Sequence, residues 1–139
     1  MKPSEIRKEL LGQHAELRRK MESARRSATA RELHRALVEI SELLRSHNLR
    51  EEELMTDVFP TLDAWGMIRA EVMVGEHIDE HRELWETLLA TTATSDAAAA
   101  RRKANELFDK VLEHMEREEK VFLTEEVLSD DEQIDAFGG

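Results

Sequence analysis

Leu33–Val58 reads LHRALVEISELLRSHNLREEELMTDV, and the spacing within it decides the fold. Leu33, Leu37, Ile40, Leu44, His47, Glu51, Leu54 and Val58 follow one another in steps of 4 and 3 without a break. Residues three and four apart share one face of a helix, so this alternation is the seam of a helix packed in a bundle. A strand would alternate every second residue instead. Two seam residues, His47 and Glu51, are polar. A carboxylate on a buried face is costly unless a cation or a donor stands beside it. Glu51 therefore needs a cation, a donor or a site near solvent. Glu52, Glu53 and His34 fall off the seam and read as surface.

The same period extends in both directions. Upstream, Pro3 and Ser4 start a helix through about Arg26, with Leu10, His14, Leu17, Met21, Ala24 and Ala28 on its seam. Downstream, Phe59–Pro60–Thr61 ends the Ala30–Val58 helix, because proline disfavours helical geometry in the residue before it. A third helix is expected over about Leu62–Thr91, with Met67, Ala70, Val74, His77, His81, Leu84 and Leu88 facing inward. It contains Gly75–Glu86, GEHIDEHRELWE, whose two histidines stand one turn apart and converge on a point above the helix. Trp65 and Trp85 flank this seam and read as core packing. After the polar Thr92–Thr94, Ser95 and Asp96 supply a cap for a fourth helix through about Glu126. Its seam is Ala104, Leu107, Val111, His114, Glu118, Val121 and Glu125. The tail, SDDEQIDAFGG, is expected to add at most a turn around Ile134–Phe137.

Four helices with short loops predict an all-α fold, an up-down-up-down antiparallel four-helix bundle over residues 1–128 with a tail at 129–139. Composition agrees: the 139 residues include two prolines and five glycines, few breakers for helix-forming chemistry. Aromatic residues make up 4% with no tyrosine, which disfavours a base-stacking surface. The net charge of −11 argues against nucleic acid, since phosphate binding needs a clustered basic face. Without cysteine there is no disulfide, thiolate ligand or thiol nucleophile. No 18-residue apolar run or leader pattern occurs, so no membrane association is expected and a cytoplasmic address is inferred.

The seams gather His14, His47, Glu51, His77, His81, His114 and Glu118 in one interior. Seven separate hydrogen-bonding solutions would be needed to bury them in hydrocarbon, whereas a metal centre satisfies them together. Five imidazoles exceed one tetrahedral zinc site, and mixed histidine and carboxylate ligation suits paired iron or manganese. If Glu51 and Glu118 each bridge two ions, an oxo or hydroxo bridge and the histidines bring the total to roughly eleven of the twelve octahedral positions. The position left open suits a small diatomic or peroxide. Helices with level ends would leave His47 and His77 about 6 Å apart in height, and His81 and His114 about 12 Å, so either the helices are offset or their boundaries differ from these.

GQHAELRRKM, HNLREEELMTDVFP, EHIDEH and HMEREEKVFL together resemble the hemerythrin-like, or HHE cation-binding, proteins, from His14 to about Leu128. The resemblance implies a non-haem di-iron centre, with two iron ions bridged by the two carboxylates and O₂ held end-on at the open position. Members also serve as oxygen or iron sensors, and some handle nitric oxide or peroxide. A sensing role would require a separate protein partner. Reversible O₂ binding for storage, delivery or sensing is the leading expectation; a di-iron enzyme acting on peroxide or nitric oxide, and a non-redox divalent-metal bundle, are the alternatives. Animal hemerythrins carry an aspartate five residues after the fourth-helix histidine, a position held here by Glu119. Bacterial members commonly use a glutamate at four, which is Glu118. At about 100° per residue Glu118 is displaced about 40° from His114 and Glu119 about 140°, so the seam favours Glu118.

Overall fold

In the computed structural model, residues 1–58, 62–93 and 96–130 are described, apart from the side chains of residues 70, 73, 74, 76 and 77. Among the described residues there are four α-helices and no strand: α1 (Pro3–Arg25), α2 (Ala30–Val58), α3 (Ala64–Thr92) and α4 (Ala97–Val121). Pro3 opens α1, where its missing N–H costs nothing. Asp63 caps α3 by accepting the Gly66 N–H at 2.7 Å, which starts that helix two residues later than its periodicity suggests. Asp96 accepts the N–H groups of Ala98 and Ala99 and caps α4. The expected helix end at Phe59–Pro60–Thr61 and the turn around Ile134–Phe137 lie outside the described residues.

Sequence neighbours pack on one another, and α1 also packs on α4. Contacts run in opposite order along α1 and α2: Glu9 meets Arg50, Gln13 meets His47 and Lys20 meets Glu39. They do so along α1 and α4 as well, where His14 meets Glu119 and Arg25 meets Asp109. Two apolar clusters fill the interior. The larger is built on Leu17, Met21, Leu37, Leu44, Leu88, Leu107 and Phe108. The smaller joins Ile6, Leu10, Leu54, Met55, Val58, Phe122, Leu123, Val127 and Leu128. Between them runs a polar layer, entered after Leu10 on α1 and left before Leu54 on α2.

All eight predicted seam residues of α2 are buried. Three expectations are corrected elsewhere. Ala28 is exposed because α1 has already ended at Arg25. Trp65 is 72% exposed, so it does not pack in the core, whereas Trp85 is half-buried beneath the Arg45 guanidinium. The end of α4 differs most: the helix stops at Val121 rather than near Glu126. The N–H groups of Phe122 and Leu123 both bond the Glu118 carbonyl, each at 2.9 Å, and the chain turns there. That turn exposes Val121 and Glu125, and drives Phe122 and Leu123 into the smaller cluster in their place. Beyond it, Asp130 accepts both the backbone N–H and the hydroxyl of Ser4, tying the start of the tail to the first turn of α1.

Candidate metal centre

Each helix delivers a histidine to the polar layer. The ring centroids of His14 and His47 are 5.0 Å apart, those of His47 and His81 6.4 Å, and those of His81 and His114 5.0 Å. All four rings are buried. The helices are staggered: His81 stands 11 residues from the end of α3 and His114 17 from the start of α4, so the helix ends are offset by about 9 Å. That offset brings the two Nε2 atoms to 3.2 Å. His77 lies on α3, but its side chain is outside the described residues.

Glu51 and Glu118 are fully buried among these rings. Glu118 turns one oxygen each way, with Oε1 at 3.4 Å from His14 Nε2 and Oε2 at 3.1 Å from His114 Nε2. Glu51 Oε2 lies 3.0 Å from His47 Nε2 and 4.0 Å from His81 Nε2. Two sets of donor atoms, each within 4.8 Å of one another, are large enough to hold a cation: His14, His47 and Glu118, and His81, His114 and Glu118. They share Glu118. The exposed His34 takes no part, as its place off the seam predicts.

The inner atoms are aimed by residues that the seam analysis missed. His14 Nδ1 donates to Glu119 Oε2 at 2.8 Å, and Arg18 grips both oxygens of Glu119 at 2.8 and 2.9 Å. His47 Nδ1 donates to Gln13 Oε1 at 2.6 Å. His114 Nδ1 donates to Glu80, which Arg117 also holds. In a neutral imidazole, a proton on Nδ1 leaves the Nε2 lone pair facing inward, the arrangement metal-binding histidines use. No period marks these residues, because an outer partner lies beside the seam; only their polarity next to a seam histidine could have flagged them. Between α3 and α4, a cavity of about 180 Å³ lined by Glu80, Leu84, Lys110, Glu113, His114 and Arg117 reaches the outer edge of His114.

Electrostatics favour positive charge here. Burial pulls the His14 pKa down, but the hydrogen bond and charge of Glu118, with Glu119 and Glu51, outweigh it and raise the pKa above the usual imidazole value. Burial pushes Glu119 up, and Arg18 and His14 more than reverse that, leaving it below the usual carboxylate range. Two carboxylates inside an apolar core would be strongly disfavoured without cations near them. His14 Nε2 is itself buried and faces Oε1 of the shared Glu118 at 3.4 Å. Nitrogen and carboxylate oxygen donors in this arrangement fit a transition-metal cation.

Among the described residues no helix is long and apolar enough to cross a membrane. Comparison with curated proteins gives no match, nor does comparison with solved structures. The family model for the Hemerythrin HHE cation binding domain matches residues 5–125, a span that includes every histidine of the layer and all four helices except the first two residues of α1. With a buried His and Glu cluster able to hold metal, the chain belongs to the hemerythrin HHE cation-binding domain family.

Proposed function

We propose that this chain is a non-haem di-iron protein that binds O₂ reversibly, for storage, delivery or sensing. The observation that carries the reading is Glu118, fully buried, with one oxygen toward His14 and the other toward His114. A carboxylate placed between two donor sets suits a bridge, and Glu51 is read as the second, with Oε2 at 3.0 Å from His47 Nε2 and 4.0 Å from His81 Nε2. The reading makes His14, His47, Glu51, His77, His81, His114 and Glu118 the metal ligands. Its scaffold is an up-down-up-down antiparallel four-helix bundle extending to Leu128, supported by the opposed order of contacts along α1 with both of its neighbours.

Five histidines divide unequally between two ions. His14 and His47 fall in one donor set and His81 and His114 in the other, and His77 as a fifth histidine would leave the two ions unequally supplied. The ion with fewer ligands is the one that would keep an open position. An iron pair at this place, linked by an oxo or hydroxo bridge, would supply a redox-active centre for O₂. The protein contributes burial, bridging carboxylates and oriented imidazoles, and it excludes bulk water with the apolar clusters on both sides.

The test is optical. The reduced, iron-loaded protein is exposed to O₂ and then to vacuum while its charge-transfer absorption is followed. A band that appears and disappears over repeated cycles supports reversible binding. Catalytic loss of added peroxide, or consumption of nitric oxide, would make the chain an enzyme. Zinc in the centre with no band would make it a non-redox bundle.

A further inference from the structure

The ring of residues behind the histidines is chemically uneven. His14 faces a carboxylate, Glu119, clamped by Arg18. On the neighbouring helix α4, His114 faces a carboxylate, Glu80, clamped by Arg117. His47 faces the neutral amide of Gln13. The two carboxylates come from different helices, yet each donor set holds one histidine backed by an anion. In both cases the carboxylate bonds the imidazole directly: Glu119 Oε2 is shared between His14 and Arg18, and Glu80 gives one oxygen to His114 and the other to Arg117.

An anion accepting the Nδ1 proton draws that proton outward and makes Nε2 a stronger electron donor. An amide fixes the ring with the same geometry but a smaller electronic effect. We infer that Glu119 and Glu80 are positioning residues, one for each metal position, which hold His14 and His114 in register and raise the donor strength of Nε2 in favour of the more highly charged metal state. Arg18 and Arg117 keep the carboxylates in place; with both oxygens gripped, Glu119 cannot swing inward to act as a ligand itself. This also explains how adjacent glutamates divide the work: Glu118 is fully buried between the two donor sets, while Glu119 is 23% exposed and bonded outward.

The inference rests on the metal-centre reading, and the experiment separates the two. Cobalt(II) titration of the wild-type chain tests whether the centre binds metal at all. Glu119→Gln and Glu80→Gln keep an acceptor on Nδ1 but remove the charge, and Gln13→Glu adds a charge behind His47. With iron loaded, the midpoint potential is expected to rise in the first two variants and fall in the third, with metal content unchanged. Glu119→Ala, which removes the acceptor altogether, is expected to weaken cobalt binding by about 10–100-fold, and Glu119→Gln to recover part of that loss. Should one variant fold poorly, the others still report the sign. Wild-type potentials in both Gln variants, or shifts of the same sign in all three, would overturn the assignment even if the wild-type chain binds its metals as expected.

Discussion

Exchanging Phe122 for alanine removes a fully buried ring from the smaller apolar cluster, where it lies with Ile6, Leu10, Leu54 and Val58. Its neighbour Val121 is 36% exposed at the last turn of α4. Helical periodicity alone would rank the two in reverse order, since Val121 continues the seam of His114 and Glu118 and Phe122 leaves it. The structure reverses the ranking because the two N–H bonds to the Glu118 carbonyl end the helix and turn the chain. Phe→Ala at a buried site costs about 3–5 kcal/mol. For a domain of this length each kcal/mol lowers the Tm by roughly 3–5 °C, so a loss of about 10–20 °C is expected. Val121→Ala should cost about 1 kcal/mol or less, since the side chain already meets solvent. Urea and thermal unfolding of both variants, in metal-free protein to remove coupling to the centre, provide the comparison. Equal losses, or a larger one from Val121→Ala, would refute the observed end of α4.

Trp65→Ser should change stability by about 0.5 kcal/mol or less, and Trp65 should be quenched by iodide more readily than Trp85, as single-tryptophan variants would show. His34→Ala should leave metal content at the wild-type level while His81→Ala lowers it, because only His81 faces the carboxylates; elemental analysis decides. In the metal-free chain, the raised His14 pKa contributes stability that is fully present below the unfolded value of 6.5 and is lost as pH rises through the folded one. Metal competes with that proton, so stripping it should lower the Tm more at about pH 8 than at about pH 6, where the proton takes its place. An equal or opposite difference in paired melts with and without chelator would contradict this.

Most of the fold was legible because its signal is periodic. The seam of α2 needed no tertiary knowledge: an unbroken series of 4 and 3 steps must face one way, and it does. The same rule picked out His14, His47, Glu51, His81, His114 and Glu118, since a polar residue on a buried face stands out against its apolar neighbours. Helix ends were harder to read. Val121 and Glu125 fit the period, but a period does not register where hydrogen bonding stops, and the turn after Glu118 is set by packing of Phe122 and Leu123 against α1 and α2. Trp65 misled for a related reason: hydrophobic size suggests burial, but position on the face decides it. The outer ring of Gln13, Arg18, Glu80, Arg117 and Glu119 was illegible because ordinary surface positions carry the same residue types. Only the approach of one helix to another distinguishes Glu80 from Glu83, or Glu119 from Glu116.

The central claim is that two donor sets sharing Glu118 hold a pair of iron ions. Elemental analysis of the chain, purified after expression with ample iron and set against protein concentration, tests it most directly. About two iron atoms per chain are predicted, one for each donor set. A single metal per chain, or predominantly zinc, would contradict it.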